Sequence, residues 1–179
     1  RLQNYYYQIM SRASCEEAIK QNFIFADNIY DRGLLIEKYE EANEISDEIL
    51  IEKKRYVLLK TELWLNSILL KEKCNNPFHT VVYIYSQEAN EIKRAEQAAI
   101  SNILRKLKEE RGDEVILLPI AGDMGLEIVD LQLDVYKVEN LPSIIIDEKY
   151  VLGGFHDLGE IEAYLEKDAK NNSNTLVLN

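Results

Sequence analysis

The stretch from Leu141 to Phe155 constrains this chain more than any other. An apolar run follows Pro142, a polar turn of Asp147, Glu148 and Lys149 interrupts it, and a second run, Tyr150 to Leu152, ends in Gly153 and Gly154. Proline has no N–H to give to a strand ladder, so Pro142 can only open the first strand. Ile144, Ile145 and Ile146 are apolar without alternation, which predicts a strand buried on both faces. The whole reads as a β-hairpin. After it, Leu158, Ile161 and Leu165 recur at helical core spacing and predict a short helix over Asp157 to Leu165.

Upstream, Thr80 to Ser86 predicts a buried strand and Asn90 to Arg111 a long helix. That helix should turn Ile92, Ala95, Ala99, Ile103, Leu104 and Leu107 inward. Gly112 and Asp113 should stop it. Glu114 to Ile120 predicts a second strand, parallel to the first through a right-handed crossover. Ala121, Gly122 and Asp123 lead into a helix near Leu126 to Tyr136.

The order is therefore β-α-β-α-β-β-α. Leu141-Pro142-Ser143, the two hairpin strands, Gly153-Gly154 and the last helix, with Tyr136-x-Val138 before them, resemble the C-terminal half of a thioredoxin-like domain. The resemblance covers about residues 78–168. It implies a cis bond before Pro142 and a substrate groove beside it. In such folds the residue before the proline, here Leu141, offers backbone hydrogen bonds to an extended peptide. Gln87, Glu88, Ala89 and Asn90 would lie alongside. Recognition by strand addition needs no thiol. The competing reading is that Pro142 only shapes the fold and the groove is covered by the helices that precede the domain.

Catalysis does not come with the resemblance. Thioredoxin-like oxidoreductases place at least one cysteine between the first strand and its helix, where the helix N-terminus lowers the thiol's pKa. Here that place reads Ser86-Gln87-Glu88-Ala89-Asn90-Glu91-Ile92, without a cysteine. Nothing else in it can replace a thiolate in disulfide exchange.

The chain before Asn75 lies outside the resemblance. Ser14 and Glu17 form a capping box. Cys15, Ile19, Phe23, Ala26, Tyr30 and Gly33 then recur at helical steps, and Ile36 and Tyr39 extend the face. Asn43 and Ser46 flank a break, with Ser46 as the next N-cap. Ile49, Tyr56, Leu59, Leu63, Leu70 and Cys74 line a second helix, and Leu50, Val57, Trp64 and Ile68 widen its apolar face. Gly33, which disfavours a helix interior by roughly 1 kcal/mol, marks a kink or a third helix. The expected architecture is a long antiparallel helical hairpin followed by an α/β, thioredoxin-like domain. The boundaries are 1–75, 76–169 and a loose polar tail over 170–179, with Asn75-Asn76-Pro77 as the breaker.

The chain has two cysteines, Cys15 and Cys74, and the midpoint between them falls at Glu44 and Ile45, inside the turn. Two antiparallel helices, each ~42 Å long by helical rise, would bring the thiols together. A disulfide there would contribute ~4 kcal/mol in the chain-entropy model. It would imply an oxidising compartment or a hyperthermophilic cytosol. The other reading is two unrelated buried thiols, each a small apolar residue.

The net charge of −11 excludes a duplex nucleic-acid binder, which needs a basic footprint. The chain opens on Arg1 rather than Met, so a fragment or processed form is expected. Arg1 to Tyr7 fits either the aromatic, basic flank of a membrane tether upstream or a helix start whose tyrosines pack on a neighbour. Other constellations are weak. Glu127, Asp130 and Asp134 share a helical face but lack the loop carbonyls of a calcium site. His79 and His156 have no zinc spacing. Ser86 with His79 lacks a nucleophile elbow. Asn171-Asn172-Ser173 matches a glycosylation acceptor, a short pattern of little weight.

No cofactor or metal is expected. The leading expectation is a non-catalytic, extracytoplasmic interaction domain that binds a protein or extended peptide, with the membrane tether as an option. A thiol–disulfide oxidoreductase using Cys15 and Cys74 is the alternative. A homodimer or stalk built on the hairpin's wide apolar face is a third reading, and a cytoplasmic location would follow from free thiols.

Overall fold

The computed structural model describes residues 8–42 and 46–175, with side chains described as far as Lys167. The expectations for Arg1 to Tyr7, for Asn43 and for the last four residues lie outside that range. Two compact units result: the helical residues as far as Phe78 together with Met124–Val129, and His79–Asp123 together with the residues from Asp130 on.

In the first unit, residues 8–12 form a helical turn, followed by helices α1 (Cys15–Glu41) and α2 (Asp47–Lys73). Local chemistry sets both starts. Ser14 Oγ accepts the Glu17 N–H at 3.3 Å, and Ser46 Oγ accepts the Ile49 N–H at 3.4 Å. Each hydroxyl satisfies an amide that the first helical turn leaves without a partner. The reciprocal half of the capping box is absent, because the Glu17 carboxylate takes Gln21 Nε2 at 2.9 Å instead. Cys15 and Cys74 form a disulfide with Cα atoms 5.7 Å apart. It ties the start of α1 to the end of α2, so the helices run antiparallel.

The buried stripe on α1 is Ala18, Asn22, Ile29, Gly33 and Ile36. Tyr30 and Tyr39, expected on that face, are exposed (65% and 47%), as is Leu50 on α2. The true stripe runs one position earlier over much of its length and includes a polar residue, which apolar periodicity cannot see. Gly33 does not break α1, which is continuous through it. A Cβ there would lie 2.8 Å from Tyr56 Cζ, so the glycine makes room for the Tyr56 ring of α2. Phe23 meets Phe78 edge to face, with ring centroids 5.7 Å apart.

The second unit carries strands β1 (His79–Tyr85), β2 (Val115–Ala121), β3 (Ser143–Ile146) and β4 (Tyr150–Gly153). Its helices are α3 (Glu91–Arg111), α4 (Glu127–Val135) and α5 (Leu158–Thr175), the first turn of α4 grouping with the helical unit. The sheet order is β2-β1-β3-β4. β1 and β2 are parallel, with Val82 opposite Leu118, as the crossover predicts. β3 is antiparallel to both β1 and β4. All four β3 residues are buried, as the uninterrupted apolar run requires.

Val81, Tyr83, Ile144 and Ile146 of the sheet pack with Ile100, Leu104 and Leu107 of α3 and with Ile161 and Leu165 of α5. The N-terminal half of α3 departs from expectation. Ile92 is 83% exposed, and Gln97 takes the inward position before Ile100. Gly112 ends α3 at a φ of 54°, which favours glycine. Lys108 Nζ then caps the carbonyls of Gly112 and Val115 at 2.7 and 2.6 Å. α5 continues to Thr175, so the stretch expected as a loose tail from 170 is helical through most of its length.

Candidate functional site

The C-terminal ends of β1 and β2 meet the loop before β3 at one edge of the sheet. Gly122 N–H donates to the Tyr85 carbonyl at 2.8 Å. A Cβ on Gly122 would lie 2.8 Å from Ile84 Cγ2 and 2.9 Å from Leu141 Cδ1, so only glycine lets Leu141 come this close. The Leu141–Pro142 bond is cis, as the resemblance implied. Pro142 is buried and Leu141 half-buried. The Pro142 carbonyl accepts the Gly154 N–H at 2.9 Å, which ties the loop to the end of β4. The Leu141 backbone makes no hydrogen bond among the described residues.

The segment between β1 and α3 is held from two sides. Gln97 reaches back from α3: its Oε1 accepts the Ser86 N–H at 2.7 Å and its Nε2 donates to the Ser86 carbonyl at 3.0 Å. From the other side, the Asp123 carboxylate accepts Gln87 N–H at 2.7 Å, Glu88 N–H at 3.1 Å and Ser86 Oγ at 2.8 Å. Ser86 Oγ also lies 2.9 Å from the Glu88 carbonyl. Burial alone would raise the Asp123 pKa. The Gln87 amide, the Ser86 hydroxyl and the Glu88 amide outweigh it and hold the carboxyl below its ordinary value. Asn90 Oδ1 caps α3 by accepting the Lys93 N–H at 2.9 Å.

The expected groove residues Gln87, Glu88, Ala89, Asn90, Leu141 and Pro142 thus belong to adjoining loops of one sheet edge. Their roles differ from expectation. The Gln87 and Glu88 amides are already bonded to Asp123, and the Asn90 side chain is spent on the helix cap. Leu141 keeps a backbone edge that is unpaired among the described residues. Asp123 was not singled out by sequence reasoning. Its only signal was an Asp directly after a glycine at the end of a strand, where short polar side chains commonly fold back on the main chain.

Other sequence candidates resolve into structural roles. Ser86 and His79 stand at opposite ends of β1, about 20 Å apart at strand rise, and so cannot act as nucleophile and base. His79 Nδ1 pairs with Asp147 Oδ2 at 2.6 Å, and His156 with Glu160 Oε2 at 2.7 Å. Asp147 and Glu148 both sit at positive φ, 50° and 56°. Asp147 Oδ1 accepts the Thr80 N–H, and Glu148 Oε1 the Thr80 hydroxyl. Glu127, Asp130 and Asp134 are exposed. No group of three or more His, Cys, Asp or Glu among the described residues is arranged to hold a metal ion.

No protein-family profile matches this sequence, and no curated protein matches it significantly. Both cysteines are consumed by the Cys15–Cys74 bond. An oxidised pair is the state favoured by oxidising compartments. Among the described residues no helix is long and apolar enough to cross a membrane.

The helical unit also buries polar groups that periodicity did not anticipate: Asn22, Lys60, Thr61, Asn66, Ser67 and Lys71. Asn22 Nδ2 donates to Ser67 Oγ at 3.0 Å, and Ser67 Oγ donates to the Leu63 carbonyl at 2.7 Å. Lys60 is 3% exposed and lies over the Tyr56 ring, 4.1 Å from its centroid. Burial lowers its pKa to about 7.

Proposed function

We propose that this protein is a non-catalytic, thioredoxin-like binding domain carried beside a disulfide-closed helical hairpin. Its place is outside the cytosol and its ligand is an extended protein segment. The sheet order β2-β1-β3-β4, with the first two strands parallel, supports the thioredoxin-like reading. The observation that carries the functional reading is the state of the segment after β1. Where an oxidoreductase of that fold presents a thiolate, Ser86, Gln87 and Glu88 are bonded to Asp123 and Gln97. What the sheet edge still offers is the Leu141 backbone, which suits strand addition.

One experiment tests both halves. The oxidised chain is screened against a library of random extended peptides, with amide NMR shifts mapping any binder, and the same sample is assayed for disulfide reductase activity. Shifts centred on Leu141 and the Gln87–Asn90 segment, without reductase activity, are expected. No binder, or shifts confined to other surfaces, would overturn the groove.

The alternative, a thiol–disulfide oxidoreductase using Cys15 and Cys74, has one point in its favour. Cys15 is the first residue of α1, directly after its N-cap, and such positions favour a thiolate. Reductase activity lost in Cys15→Ser would establish it in place of the binding domain.

A further inference from the structure

Helix α2 carries an apolar line on its exposed side. Ile51, Leu58 and Leu65 are 51%, 43% and 42% exposed, and they follow one another at intervals of seven residues. Single exposed apolar residues are ordinary on a protein surface and need no partner. A seven-residue repeat is different, because it keeps one seam along a helix and is the spacing by which helices pair with one another. From Ile51 to Leu65 the seam runs about 21 Å by helical rise.

The charges on the same seam select what pairs with it. Arg55 and Glu62 each stand four residues after an apolar position of the repeat. A second copy of α2, laid antiparallel with the two-fold axis beside Leu58, sets Ile51 against the partner subunit's Leu65. The same register sets Arg55 against the partner subunit's Glu62, and symmetry makes each contact twice. A parallel pair would instead oppose arginine to arginine and glutamate to glutamate, which like-charge repulsion disfavours. Within its own chain Arg55 meets Glu52 at 2.9 Å, an exposed pair that contributes little and can be exchanged. Partial burial raises the Glu62 pKa, with no cation to offset it among the described residues. An arginine across the seam supplies that counter-charge. The chain's net charge of −11 does not gather here, since α2 has five acidic and six basic side chains.

We propose that the exposed seam of α2 is the interface of a two-fold symmetric, antiparallel dimer of this chain. Ile51, Leu58 and Leu65 form its apolar centre, and Arg55 and Glu62 form two equivalent ion pairs that fix its direction. So short a seam makes the association reversible rather than obligate.

The test is sedimentation equilibrium of the intact, oxidised chain from micromolar to millimolar concentration. A reversible monomer–dimer equilibrium is expected. Leu58→Lys, at an exposed position that folding does not depend on, should leave only monomer. Arg55→Glu and Glu62→Arg should each weaken the dimer about tenfold, since each sets two like-charge pairs across the axis. The two together exchange the charges and re-form both pairs, so the double variant should return to within about threefold of the parent. Circular dichroism confirms that each variant is folded, and the parent's own concentration dependence needs no variant. A strict monomer across the range overturns the proposal, and co-sedimentation with phosphatidylcholine vesicles would then assign the seam to a lipid surface. A dimer that persists in folded Leu58→Lys, or one that the double variant does not restore, overturns it as well.

Discussion

The side-chain amide of Gln97 pairs with both backbone groups of Ser86, accepting at 2.7 Å and donating at 3.0 Å. It does for Ser86 what a neighbouring strand would do one residue earlier. β1 ends at Tyr85, so Ser86 would otherwise bury an amide and a carbonyl without partners. Gln97→Ala is expected to destabilise the domain by roughly 2–3 kcal/mol, because it strands two buried groups at once. Chemical denaturation with an unchanged m-value would check this, and a loss under 0.5 kcal/mol would contradict it.

Asp123 fixes the same segment from the loop after β2. Asp123→Ala should cost roughly 1–2 kcal/mol, the lower part of what three charge-assisted bonds provide, because the residue is largely exposed. Its folded pKa lies below the unfolded value of about 3.9. The stabilisation is therefore fully present above that unfolded value and is lost as pH falls through the lower folded one. Hydrogen exchange at the Gln87 and Glu88 amides should accelerate in the variant. Unchanged protection would show that Asp123 does not hold the loop.

Lys60 produces the opposite pH dependence. Its pKa falls from 10.5 unfolded to about 7 folded, so below pH 10.5 the unfolded chain binds more protons at this site. Stability should then rise with pH across that interval, by about 2 kcal/mol between pH 7 and pH 9. Lys60→Met should be more stable than the parent at pH 7 and should lose that rise. Parallel slopes for the two proteins would mean that Lys60 keeps its charge on folding.

Removing the Cys15–Cys74 bond should cost about 3–5 kcal/mol, because it closes a loop of 59 residues in the unfolded chain. Cys15→Ser and Cys74→Ser, compared singly and together by denaturant titration, measure it. Near-identical losses in all three would show that the bond, rather than either side chain, is the source.

Gly33→Val should destabilise the hairpin by roughly 1–3 kcal/mol, since the new side chain meets the Tyr56 ring. Pairing it with Tyr56→Leu should recover part of the loss. Additive effects in the double variant would exclude the contact.

Much of the architecture was legible because local chemistry decides it. Ser14, Ser46 and Asn90 cap their helices through their own side chains. Gly112 stops α3, and the run through Ile144, Ile145 and Ile146 has no polar position to turn toward water. Evenly placed cysteines in two helices of similar length fixed where a clasp would fall. Each of these signals is complete within a few residues or follows from helix length alone.

What only the tertiary structure decided are the pairings between side chains distant in sequence. Ile92 looks like a core residue and is exposed, while Gln97 and Asn22 look like surface residues and are buried, because Ser86 and Ser67 supply their hydrogen-bond partners. Gly33 looks like a helix breaker until Tyr56 stands over it. Asp123 looks like a turn residue until two amides and a hydroxyl from the other side of the crossover converge on it. A polar group's burial depends on whether a partner meets it in space, and that partner lies many residues away, beyond the reach of any local pattern.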